Sequence, residues 1–96
     1  MLFVLTAIDK DNGLELRKSV REAHLAFLKE TGTARLGGPF LDGAGNMIGS
    51  MLIFEAEDME SAKAWSAKDP YVKAGLFKST DIRPWKATVN FCEAKL

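Results

Sequence analysis

The sequence predicts an α+β domain with its elements in the order βαββαβ. Three features carry that prediction: apolar β-rich runs at residues 2–8 and 47–56, two amphipathic stretches at 14–31 and 58–68, and an alternating segment at 85–91. Alternation with a period of 2 marks a half-buried strand, whereas apolar residues recurring every three or four positions mark a helix face. Ninety-six residues fit one domain, taken as residues 1–96, and 47% hydrophobic residues suffice for a single core.

The first run, Leu2-Phe3-Val4-Leu5-Thr6-Ala7-Ile8, is too short to cross a membrane and is followed by the turn-forming Asp11-Asn12-Gly13. It lacks the basic flank of a secretion signal, so it reads as a buried strand in a cytoplasmic protein. Leu14 to Thr31 contains neither proline nor glycine, and Leu16, Val20, Ala23 and Phe27 share one helical face. Gly32 is the expected stop, because glycine accepts the left-handed conformation that closes helices. Thr33 to Leu41 is a second strand in which Gly37-Gly38-Pro39 suggests an edge or a bulge. After the Asp42–Asn46 loop, Met47 to Ala56 is a third strand with apolar residues on both faces. Asp58 caps a second helix reaching about Lys68, and Asp69-Pro70 ends it and opens a short turn toward Gly75. Trp85, Ala87, Val89 and Phe91, alternating with Lys86, Thr88 and Asn90, predict the fourth strand.

Right-handed crossovers fold this order into a four-stranded antiparallel sheet with both helices on one face, the ferredoxin-like arrangement. The helices leave the other face open, although strands one and three are apolar on both sides. A second copy packed sheet to sheet would cover it, making a homodimer or a higher assembly; the alternative is that Thr6, Ser50, Lys86 and Asn90 keep that face wet.

Thirteen Lys and Arg balance thirteen Asp and Glu, so no net field draws the chain to nucleic acid or to an anionic membrane. The third strand also lacks the aromatic ladder that RNA-binding domains of this topology use. The single Cys92 permits no internal disulfide and reads as inert core, and one histidine is too few for a structural zinc cage. Neither a glycine-rich phosphate loop nor a dinucleotide fingerprint occurs, and no metal or organic cofactor is called for.

His24 is the chain's only histidine and flanks the apolar face of the first helix. Imidazole exchanges protons near neutral pH, although a histidine so placed also serves as a packed helix residue. A rise of 1.5 Å per residue puts His24 roughly 10 Å above the sheet edge where its helix ends, and Asp69 about 15 Å above the same edge on the second helix. Gly37 stands about 13 Å up the second strand, so the three can meet. A carboxylate beside an imidazole fixes its tautomer and stabilises its protonated form, while bare glycine backbone lets a substrate approach. Asp69 is equally placed to cap the turn that starts at Pro70, and the two roles can share one carboxylate. Arg83 can pair with an anionic substrate at a pocket mouth or stay solvated.

Arg21-x-x-His24-Leu25, Gly37-Gly38-Pro39, Gly49-Ser50, Asp69-Pro70-Tyr71 with Gly75-Leu76, and Arg83-Pro84-Trp85 occur in this order along nearly the whole chain. Together they resemble the YCII-related (YciI-like) proteins. The resemblance implies a dimeric α/β barrel of two ferredoxin-like subunits, with His24 and Asp69 matching the family's histidine and aspartate. The expected activity is acid/base chemistry on a small organic acid or lactone-like molecule by isomerisation, elimination or dehalogenation. Gly37, Gly38, Pro39, Ser50, Tyr71 and Arg83 are the expected substrate-binding residues. A metabolite-binding or sensing module without turnover is the alternative, and haem binding through the single histidine is a third reading.

Overall fold

In the computed structural model, which describes residues 1–96, the order is β1 (Leu2–Asp9), α1 (Leu14–Thr31), β2 (Ala34–Leu41), β3 (Met47–Glu55), α2 (Met59–Ala67), α3 (Pro70–Lys73) and β4 (Phe77–Trp85). The strands form one antiparallel sheet in the order β2-β3-β1-β4, which is the expected βαββαβ α+β fold. The local signals act where the sequence put them. Gly32 closes α1 at φ 68° with its N–H on the Leu28 carbonyl, and the Asp58 side chain accepts from the Ser61 N–H at the start of α2. Those bonds to Ser61 lower the Asp58 pKa, so this cap stabilises the fold above the ordinary carboxylate range and is lost as pH falls through it.

Residues directly opposite one another in a sheet share a face, so the pairs Phe3–Phe54 and Leu5–Leu52 define the helix side. These four side chains and Ala62 of α2 are the buried core, flanked by Leu28, Met59, Trp65 and Ile82. Trp65 stacks on Phe54 with 4.4 Å between ring centroids, which ties α2 to the centre of the sheet.

Two expectations need correction. The fourth strand is Phe77–Trp85 rather than the alternating run from Trp85 to Phe91. Most side chains of β4 are exposed, as on an edge strand, so it carries little apolar signal; the tail that does alternate leaves Phe91 93% exposed. Cys92 lies in that tail and is exposed rather than core. The inner face of α1 is also turned by about 60°, at 100° per residue, from the predicted one. Leu16 and Ala23 point outward while Arg17 is buried and His24 is largely covered. Polar residues face inward here because Asp9 and Asp69 wait there to pair with them.

Gly37-Gly38-Pro39 holds register with Leu52, Met51 and Ser50, and the irregularities of β2 fall on either side of it. Pro39 is tolerated because β2 is an edge strand. A Cβ on Gly37 would lie 2.4 Å from the Leu52 side chain and 3.0 Å from the Met51 carbonyl oxygen, whereas one on Gly38 meets nothing within 4 Å. Gly37→Ala is expected to cost about 1–3 kcal/mol of stability by overpacking, while Gly38→Ala leaves the urea midpoint nearly unchanged.

Candidate active site

Asp69 is placed by its own local chemistry. It precedes Pro70, which forbids helix continuation, and its extended backbone starts α3 while Oδ1 accepts the Tyr71 N–H at 2.9 Å. This leaves a carboxylate only 2% exposed and facing α1. His24 Nδ1 lies 2.8 Å from Asp69 Oδ1 and 3.0 Å from Oδ2. An ionised carboxylate only accepts, so Nδ1 carries the hydrogen and the Nε2 lone pair is the free one. The imidazole lies flat on the Tyr71 ring, 3.9 Å between centroids and 14° from parallel, and Phe77 meets the other ring edge-on. The ring is thereby held at two points, by a hydrogen bond and by a stack.

A second buried pair sits beside the first. Arg17 Nε and Nη2 donate to the two oxygens of Asp9 at 2.8 and 2.9 Å, and Nη2 also donates to Ser50 Oγ at 2.7 Å. The guanidinium carbon lies 4.9 Å from the centre of the Tyr71 ring. Burial works against the Arg17 charge, yet Asp9, by hydrogen bonding and by its field, and Tyr71 to a lesser degree, hold the pKa above the ordinary arginine value. Burial likewise pushes the Tyr71 phenol upward, opposed by Arg17 and Arg21, so Tyr71 is an uncharged platform at neutral pH.

These groups line a cleft of about 330 Å³ between α1 and β2. Of the expected site residues, His24, Asp69, Gly37, Gly38, Pro39, Ser50 and Tyr71 all border it. The alternative reading counts Ser50 among the residues that keep the open sheet face wet, but its pairing with Ala7 puts it on the helix side. Arg83 does not join them: it pairs with Val4 on the opposite sheet face and donates to Asp81 at 2.6 Å, so it is a surface residue of this chain. Arg17 and Arg21, two cations at the cleft, were not among the expected residues. The spacing of seven between Arg17 and His24, two helical turns on one face, was the available signal. No group of three or more His, Cys, Asp or Glu side chains converges within this chain. No helix is long and apolar enough to cross a membrane.

The model of the YCII-related domain matches residues 1–86. The chain belongs to the YCII-related family. Among YCII-related relatives, the protein YciI of Escherichia coli O6:H1 is 42% identical, over 90% of this chain and 97% of that one. A solved structure, the 5-chloro-2-hydroxyhydroquinone dehydrochlorinase TftG from Burkholderia phenoliruptrix AC1100 in complex with 2,5-dihydroxybenzoquinone, is 38% identical. It superposes with a TM-score of 0.83, covering 90% of this chain and 94% of that one. An antibiotic biosynthesis monooxygenase, 11% identical with a TM-score of 0.58 over 93% of this chain and 100% of that one, shares the YCII-related fold alone.

Proposed function

We propose that this chain is a small-molecule enzyme in which His24 is the general base and Asp69 orients it. The observation that carries this reading is the Asp69 contact on Nδ1, which leaves Nε2 as a basic lone pair at a cleft. Nε2 takes a proton from the substrate, the electrons of the broken bond pass to a conjugated substrate oxygen as an enolate or phenolate, and their return forms the new π bond as the leaving group departs with its own pair. The imidazolium that results is stabilised by the Asp69 carboxylate. Loss of hydrogen chloride from a chlorinated hydroxy-ring compound is one such elimination, and the likeness to a dehydrochlorinase at 38% identity supports that class. Small organic acids and lactone-like molecules are processed by the same proton transfer.

The test is incubation with 5-chloro-2-hydroxyhydroquinone and a panel of such acids and lactones, with chloride release and product identity measured. Turnover of at least one compound is expected. A compound that raises the thermal midpoint but is recovered unchanged, with none converted, would instead make this a binding module.

The working unit proposed here is a homodimer packed through the open sheet face. Ile8, Leu36 and Trp85 are exposed large apolar residues on that face, around Val4 and Met51. Sedimentation equilibrium is expected to return twice the 10.6 kDa chain mass, and a monomer at micromolar concentration would overturn it.

A further inference from the structure

We propose that Ser50 is the hydrogen-bond donor for a substrate oxyanion in this cleft, and that Arg17 is the positioning residue that aims and polarises its hydroxyl. The inference rests on His24 being the base, since proton removal is what puts negative charge on a substrate oxygen.

An arginine side chain has five N–H donors and no acceptor. The 2.7 Å contact from Arg17 Nη2 to Ser50 Oγ therefore has one direction: Ser50 accepts. Its own hydrogen is not used on Arg17, and the hydroxyl donates to no other protein group. Ser50 borders the same cleft as His24 and Tyr71, so the free O–H has the cleft to point into.

The guanidinium is locked by its two bonds to Asp9, which lies on β1 two residues from Ala7, the residue paired with Ser50. Asp9, Arg17 and Ser50 thus form a chain of successive hydrogen bonds in which a carboxylate fixes a cation and the cation withdraws electron density from a hydroxyl. Accepting a charge-assisted bond makes that hydroxyl a stronger donor. A fixed donor of this kind favours an enolate or phenolate oxygen over its neutral parent, which is the charge change that accompanies proton loss to His24. The ligand class that follows is a compact planar molecule with an acidic ring hydroxyl or enol.

The probe is 2,5-dihydroxybenzoquinone, whose enolic oxygens are anionic in neutral water and whose visible absorbance reports binding. Ser50→Ala is expected to weaken binding of the probe about 10- to 100-fold, the loss of one charge-assisted hydrogen bond. Ser50→Thr, which keeps a hydroxyl, is expected to restore most of the affinity. The imidazole NMR signals of His24 report whether either substitution disturbs the site and should not move, while the thermal midpoint without ligand should fall only modestly in Ser50→Ala, because Arg17 keeps both bonds to Asp9. Equal binding by wild type and Ser50→Ala overturns the assignment, as does a wild-type protein that ignores the probe. Loss of binding that Ser50→Thr does not rescue also overturns it, because the hydroxyl is then not the cause. Failure of the general-base reading is seen separately, as turnover that survives replacement of His24 while probe binding still depends on Ser50.

Discussion

Replacing His24 by asparagine is expected to lower turnover by roughly 10²- to 10⁴-fold, the usual contribution of a positioned general base. The carboxamide keeps an N–H near the position of Nδ1, so Asp69 retains a donor and the fold retains its contact between α1 and the start of α3. What disappears is the lone pair on Nε2. The stack on Tyr71 is also weakened, but Tyr71 is still braced by Phe77 and Arg17. The thermal midpoint should therefore shift far less than the rate. Steady-state kinetics paired with thermal unfolding of both proteins checks the expectation. An unaltered rate would take the imidazole out of the reaction.

Arg17→Met is the second large effect, and it is on stability. Asp9 is 7% exposed and its only side-chain partners are the two Arg17 nitrogens. Removing the guanidinium strands a buried carboxylate, which costs about 3–5 kcal/mol. Domains of this size are held by roughly 5–15 kcal/mol in total, so the variant should be unfolded or nearly so at 37 °C. The double substitution Arg17→Met with Asp9→Leu removes both charges and is expected to recover most of the loss, since a buried ion pair contributes little beyond its apolar replacement. Urea unfolding of wild type, single and double variants measures this. A single variant as stable as wild type would mean that water reaches Asp9.

The parts of the molecule that were legible in advance are those with local chemical causes. Gly32 and Asp69-Pro70 act through backbone geometry that needs no tertiary context, and the C-terminal end of α1 and the start of α3 follow from them. The meeting of His24 with Asp69 was also legible, because rise per residue and topology together set the height of each side chain along the sheet. What was hidden depends on partners distant in sequence. Arg17 looks like a solvated helix residue until Asp9, at the end of an apolar strand, is known to lie beneath it. Ser50 looks like a residue of the open face until register with Ala7 is fixed. The last strand was misplaced because burial drives hydrophobic alternation, and β4 at the sheet edge buries little, whereas Val89 and Phe91 alternate without burial inside this chain.

One oxygen of Asp69 serves both the base and the first amide of α3. Anyone seeking to broaden the range of molecules this protein accepts should therefore leave that side of the hollow untouched. On the opposite wall a methyl added to Gly37 strikes Leu52, and one added to Gly38 projects beside Met51 onto the open sheet face, so the shape of that wall is set by backbone alone.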